Sequence, residues 1–160
     1  MDIISDLRKI DPKNVELIEE KIKIIIALFS SYWRKKGIKI DFAKDFIDRI
    51  IERDPYFGND FCSWGKRDEN FIWINFDEKI NDISRIEIFI DLRYHPKLFV
   101  MSVLQLAKHL DCMILDIREN IHEPEYEILK KAIKNSNAYK YIQNPYQFFI
   151  DLENGLIDPE

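Results

Sequence analysis

Every second position between Ile86 and Leu92 is isoleucine or leucine (Ile86, Ile88, Ile90, Leu92), with Glu87, Phe89, Asp91 and Arg93 between and after them. A period of two puts the four aliphatic side chains on one side of an extended chain, so Arg85–Arg93 reads as a β-strand with one buried face. The strand closes in the triplet Asp91-Leu92-Arg93, and the same Asp-apolar-Arg pattern recurs at Asp116-Ile117-Arg118. That second triplet ends another extended run, Cys112–Arg118, with Met113, Leu115 and Ile117 on one side. Between the two runs, Pro96–Leu110 repeats Phe99, Val103, Leu106, Ala107 and Leu110 at helical spacing. If the strands are neighbours, a helical crossover makes them parallel, and both triplets come to the carboxyl edge of one sheet.

The remaining elements follow from the same periods. Val15, Ile18, Ile22, Ile25, Ile26, Phe29 and Trp33 form a stripe that predicts a first helix from about Lys13 to Lys36, although the β-branched run Ile22–Ile26 also suits a strand. Asp41 caps a second helix with Phe42, Phe46, Ile47, Ile50 and Ile51 on one face and Lys44, Asp45, Asp48, Arg49 and Glu52 on the other. Strands are expected over Asp60–Trp64 and Phe71–Phe76, with a turn at Gly65–Glu69 between them. Helices over Pro124–Lys134, Asn137–Ile142 and Pro145–Asn154 complete the chain, the last capped by Asn144. The order ααβββαβααα predicts one α+β domain over residues 1–160, a small mixed sheet of three or four strands covered by helices, with a helical C-terminal part.

Charge narrows the choice of partners. Residues 1–67 hold 14 Lys and Arg against 12 Asp and Glu (net +2), whereas residues 68–160 hold 10 against 17 (net −7), which accounts for the −5 of the whole chain. An acidic C-terminal half argues against nucleic acid, whose phosphates need a basic face, and suits a basic protein partner. Cys62 and Cys112, without CxxC spacing, read as reduced thiols of a cytoplasmic protein. The start Met1–Asp6 is acidic and has no signal-peptide pattern, and the longest apolar run, Ile24–Phe29, is too short to span a bilayer, so no membrane partner is expected.

Two groups of residues are candidates for function. The first is the segment Tyr56–Glu78, where rings and carboxylates interleave: Tyr56, Asp60, Trp64, Glu69, Trp73, Asp77 and Glu78. Aromatic anchors in an acidic rim describe a surface for a basic protein, and the alternative is that the rings are ordinary core. The second is the sheet edge, where Asp91, Arg93, His95, Asp116, Arg118 and His122 would converge as an acid/base and anion-binding site of a small enzyme or ligand-binding domain. Against that stands a purely structural use, Asp91 pairing with Arg118 or Asp116 with Arg93 across the strands. No histidines have zinc-binding helical spacing and no phosphate loop or nucleophile elbow occurs, so no metal, cofactor or catalytic residue is expected.

From Asp91-Leu92-Arg93, through Leu106-Ala107-Lys108 and Cys112–Ile117, to Ser136, Ala138 and Asn144-Pro145-Tyr146-Gln147-Phe148-Phe149, the second half of the chain resembles small bacterial immunity proteins. These are cytosolic partners that neutralise toxins delivered by secretion or contact-dependent systems. The resemblance carries no site residue with it. It implies a non-enzymatic inhibitor that binds a cognate toxin stoichiometrically.

Overall fold

A computed structural model describes residues 23–28, 37–94 and 96–158, the first of these as backbone only. Its elements are β1 (Lys23–Leu28), α1 (Ile40–Ile47), β2 (Phe61–Gly65), β3 (Phe71–Phe76), β4 (Ile83–Asp91), α2 (Lys97–His109), β5 (Ile114–Asp116), β6 (Ile121–His122), α3 (Tyr126–Asn135), α4 (Asn137–Gln143) and α5 (Pro145–Glu153). β2, β3 and β4 form an antiparallel meander, and β5 and β6 a short hairpin. β1 pairs with β4 on one side and β5 on the other, joining both parts into one sheet of order β2-β3-β4-β1-β5-β6. The fold is α+β, a sheet covered by helices with a helical C-terminal part.

Several expectations change in detail. The helix expected from Lys13 to Lys36 gives way over its middle to strand β1, where Ile24, Ile26 and Leu28 are register partners of Ile90, Ile88 and Ile86. The rest of that range lies outside the described residues. A β-branched run beside the most regular strand of the chain gains a ladder of backbone hydrogen bonds on both edges, and this outweighs the helical period. The sheet has six strands rather than three or four, because β1 joins the meander to the β5–β6 hairpin, and it is not mixed, because every neighbouring pair is antiparallel. β4 and β5 do run in the same direction, as a helical crossover requires, but β1 lies between them.

One face of the sheet packs against the helices. Cys62 and Trp64 of β2, Ile72 and Ile74 of β3, and Ile86, Ile88 and Ile90 of β4 all point there and are buried. They meet Ile40, Ala43 and Ile47 of α1, then Phe99, Val100, Val103, Leu104, Leu106 and Ala107 of α2, and Leu129 and Ile133 of α3. Helix α1 is shorter than expected. Its i, i+3, i+7 stripe goes inward, while Phe42 turns out of the core and stacks on His109 at 4.3 Å. Asn144 accepts the Gln147 N–H at 3.1 Å and caps α5, with Pro145 as its first residue. Tyr141, Phe148 and Ile157 make a small second cluster there.

Trp64 is fully buried, its indole N–H donating to Asp48 at 2.8 Å beneath the Arg53 guanidinium. Gly65 follows with φ +79°, and a Cβ there would lie 2.1 Å from the Asn70 carbonyl oxygen. Trp64→Ala should lower the unfolding free energy by about 3–5 kcal/mol through lost burial and a cavity. Gly65→Ala should also destabilise, since both the left-handed backbone and the facing carbonyl resist a side chain. Urea unfolding measures both, and an unchanged midpoint for Trp64→Ala would place that ring outside the core.

Candidate functional site

The aromatic-acidic segment is built from the outer edge of β2. Residues 52–54 pair with that edge, Gly65 N–H donating to Glu52 O at 2.8 Å and Asp54 N–H to Ser63 O at 2.9 Å. The Asp54 carboxylate then accepts the Tyr56 N–H at 2.9 Å, an Asx turn that sends the chain away from the sheet. Gly58 N–H donates to Phe61 O at 3.1 Å and closes the loop. A Cβ on Gly58 would sit 2.3 Å from the Phe61 ring, so glycine is what lets that ring lie against the turn. Tyr56 and Phe57 are left 66% and 72% exposed on this braced loop.

Behind the loop the sheet face turned away from the helices is aromatic. Phe61 stacks on Trp73 with centroids 4.5 Å apart and planes 7° apart, and Tyr56 tilts against Phe61 at 5.6 Å. Phe71 continues the row to Trp73 at 6.2 Å and to Phe89 at 5.7 Å. Arg67 lies over Trp73 at 5.9 Å, and the Trp73 indole N–H donates to Asn75 at 3.0 Å. The exposed Asp60 stands next to this row. Its carbonyl accepts the Phe76 N–H at 2.8 Å, which brings Asp60 close in the fold to Asp77 and Glu78.

Of the seven residues read from the sequence, Asp60, Asp77 and Glu78 flank one end of the β2–β3 hairpin, Tyr56 tilts against Phe61 at that end, and Trp73 lies mid-strand opposite Ser63. Asp77 also has a structural duty, its carboxylate accepting the N–H groups of Lys79 at 2.8 Å and Ile80 at 3.2 Å. Glu69 sits in the β2–β3 turn at the opposite end, near Lys66 at 3.7 Å. Trp64 is a correction: it belongs to the core and offers no exposed anchor. It shares its face of the strand with Cys62, two residues earlier, and both go into the core. Phe57 and Phe61 complete the surface in its stead, and their ring character was the signal for them.

The second candidate group does not converge. With β1 inserted, β4 and β5 lie two strand spacings apart, roughly 9–10 Å. In addition, Asp91 is opposite Lys23 whereas Asp116 is opposite Ile26, three residues along β1. The expected pairs Asp91–Arg118 and Asp116–Arg93 are replaced by local ones. Asp91, only 2% exposed, is gripped by Arg93 through Nε at 2.9 Å and Nη2 at 2.7 Å and accepts the Arg93 N–H at 3.0 Å. Arg93 reaches on to the Asp68 carbonyl, and Asn70 accepts the Asp91 N–H at 2.9 Å, so the end of β4 is fastened to the β2–β3 turn. The Asp91 carboxylate holds Arg93 more firmly in its charged form than usual.

Asp116 organises the β5–β6 hairpin instead. Its carboxylate lies 2.8 Å from His122 Nε2 and accepts the N–H groups of Arg118 and Asn120, both at 2.9 Å, and the Asn120 amide at 3.0 Å. Arg118 reaches Asn137 at 3.4 Å and His95 lies outside the described residues. Among the described residues no three His, Cys, Asp or Glu side chains come together to hold a metal. Cys62 and Cys112 are both buried, and burial pushes the Cys62 thiol up, away from the reactive thiolate. His109 stacks between Phe42 and Phe46, at 4.3 and 4.7 Å. No helix among the described residues is long and apolar enough to cross a membrane.

The chain matches no family model, no curated protein and no solved structure.

Burial works to raise the pKa of Asp116, but the hydrogen bonds from His122, Asn120 and the Arg118 N–H outweigh it and hold the carboxyl below its ordinary range. A depressed folded pKa means stability fully present above the ordinary aspartate range and lost as pH falls through the lower folded value. Asp116→Asn should therefore flatten the acid side of the stability–pH profile, which thermal melts across the acid range would measure. A separate measurement concerns Arg93→Met, which leaves Asp91 buried beside its remaining N–H donor. It should cost about 2–4 kcal/mol, and Asp91→Asn with Arg93 intact should cost less.

Proposed function

We propose that this protein is a toxin-neutralising immunity protein that acts by stoichiometric binding, with the surface around Tyr56, Phe57, Asp60, Phe61 and Trp73 as its recognition surface. One observation carries this reading: two large rings, Tyr56 and Phe57, stand exposed on a loop that an Asx turn, a glycine contact and a tilted ring contact all brace. A braced loop loses little conformational entropy on binding, so the apolar area it offers is converted to affinity efficiently. Phe61 and Trp73 behind it provide half-buried area that a partner would desolvate. Asp60, exposed and next to Phe61 in the chain, favours a basic partner.

The resemblance of the second half of the chain to immunity proteins supports the toxin as the class of partner. The reading as a small enzyme or ligand-binding domain finds less support, because the Asp91 and Asp116 groups stand apart and each is already saturated by local donors.

The experiment pairs the chain with the product of an adjacent toxin gene. Phe57→Ala and Tyr56→Ala should weaken the complex by ~2 kcal/mol or more while leaving the fold intact, because neither ring is part of the core. Asp60→Lys should slow association, and rising salt should slow association of the parent more than it speeds dissociation. A neighbouring toxin that is bound and neutralised equally well by all three variants would remove this surface from consideration. A toxin left fully active by the parent chain would sink the immunity reading itself.

A further inference from the structure

The sheet has two rims, and only one of them is closed. Residues 52–54 hydrogen-bond to the outer edge of β2, whereas β6 ends the strand order with no further strand beside it among the described residues. The register of β6 decides which of its backbone groups are left over. Asn120 turns inward, its carbonyl accepting the Asp116 N–H at 3.1 Å, and Ile114 and Leu115 lie opposite His122 and Ile121. Backbone direction alternates along an antiparallel ladder, so the groups of His122 also face β5 and the N–H and C=O of Ile121 face outward. The Ile121 side chain is 55% exposed, and Ile117 in the adjoining turn is 47% exposed. An outward donor and acceptor beside exposed apolar area suit an added strand.

Charge around this edge selects the kind of strand. From Glu119 to Glu127 there are four glutamates and no Lys or Arg. Glu125 pairs with Lys108 at 3.0 Å and Glu127 lies 3.5 Å from Lys130, but Glu119 and Glu123, both exposed, form no ion pair among the described residues. These two stand two residues before and two after Ile121, and so flank its outward groups. We propose that the outer edge of β6 is a docking site for an extended, basic segment of a partner protein, which joins the sheet as a further strand with Lys or Arg opposite Glu119 and Glu123. Shortness and charge keep such an edge from pairing indiscriminately. Two β6 strands paired antiparallel about Ile121 would set Glu119 of each copy against Glu123 of the other, which opposes self-pairing. The charges that exclude a second copy attract a basic strand, so exclusion and selection have one source. Five strand spacings, roughly 24 Å, separate β6 from β2, so this edge is distinct from the loop bearing Tyr56 and Phe57. The docking site stands whether or not the partner is a toxin.

The probe is a short peptide of alternating Lys and Val with blocked ends, titrated against the whole chain. It should bind, and hydrogen exchange at the Ile121 amide should slow in the complex, because that N–H has become a ladder donor. Ile121→Pro removes the donor at an edge position where the ladder to β5 does not use it, and should weaken the peptide about tenfold or more. Glu119→Lys with Glu123→Lys should weaken it as far, and should admit the same peptide with Glu in place of every Lys, which the parent refuses. Circular dichroism checks that each variant folds, and the exchange measurement on the parent needs no variant. No binding at millimolar peptide overturns the proposal, as does protection confined to other amides, or binding unchanged in the charge-reversed chain. Dimers in which the Ile121 amide is protected without any peptide overturn it in favour of a second copy.

Discussion

The position of β1 between β4 and β5 is the constraint on which the sheet depends. A three-stranded meander and a two-residue hairpin have no edge in common without it. Both of its edges are paired, so its backbone groups are satisfied along a six-residue ladder to β4 and a three-residue ladder to β5. A strand so placed fixes the spacing of everything attached to its neighbours. It holds β4 and β5 in the same direction, gives α2 a two-strand span to cross, and keeps the Asp91 and Asp116 groups apart.

Much of the buried and half-buried charge is handled locally, although Asp82 takes Lys39 from far along the chain. Asp91 takes Arg93 two residues on, and Asp116 takes His122 and Asn120 within one hairpin. Asp48 takes Arg53 and the Trp64 indole, and these hydrogen bonds hold its carboxyl below the ordinary range although burial works the other way. Among the described residues no buried side-chain nitrogen or oxygen lacks a partner. Local pairing of this kind avoids an uncompensated charge, which costs far more than a well-made pair returns. It also leaves few carboxylates in these groups with spare acceptor capacity, which is why the sheet edge reads as structure.

The two faces of the meander differ in kind. On the helix side aliphatic side chains with little polar character pack to near-zero exposure. On the other side the row Phe61, Trp73, Phe71 and Phe89 combines stacked and tilted rings with Arg67, Arg85 and Glu87. Aromatic rings tolerate such a border because their edges and faces interact with charge as well as with one another. The loop bearing Tyr56 and Phe57 extends that side beyond the sheet edge.

Period and capping determined much of this protein from the sequence alone. The isoleucines of β4, the inward stripe of α2, the strand Phe71–Phe76 and the Asn144 cap of α5 are local patterns, and each survives in the fold because tertiary packing agrees with it. Tyr56, Asp60, Trp73, Asp77 and Glu78 lie on one hairpin and its flanks because they are near in sequence. Tertiary structure decided the rest. Ile22–Ile26 satisfies helical and extended periods together, and only the two open edges of β4 and β5 select the strand. Trp64 follows Cys62 into the core through a sheet face that one strand cannot specify. The twin Asp-x-Arg triplets look like one site in sequence and are two in space, because the strand that separates them comes from residues more than sixty positions earlier than either, and a local pattern carries no record of a distant insertion.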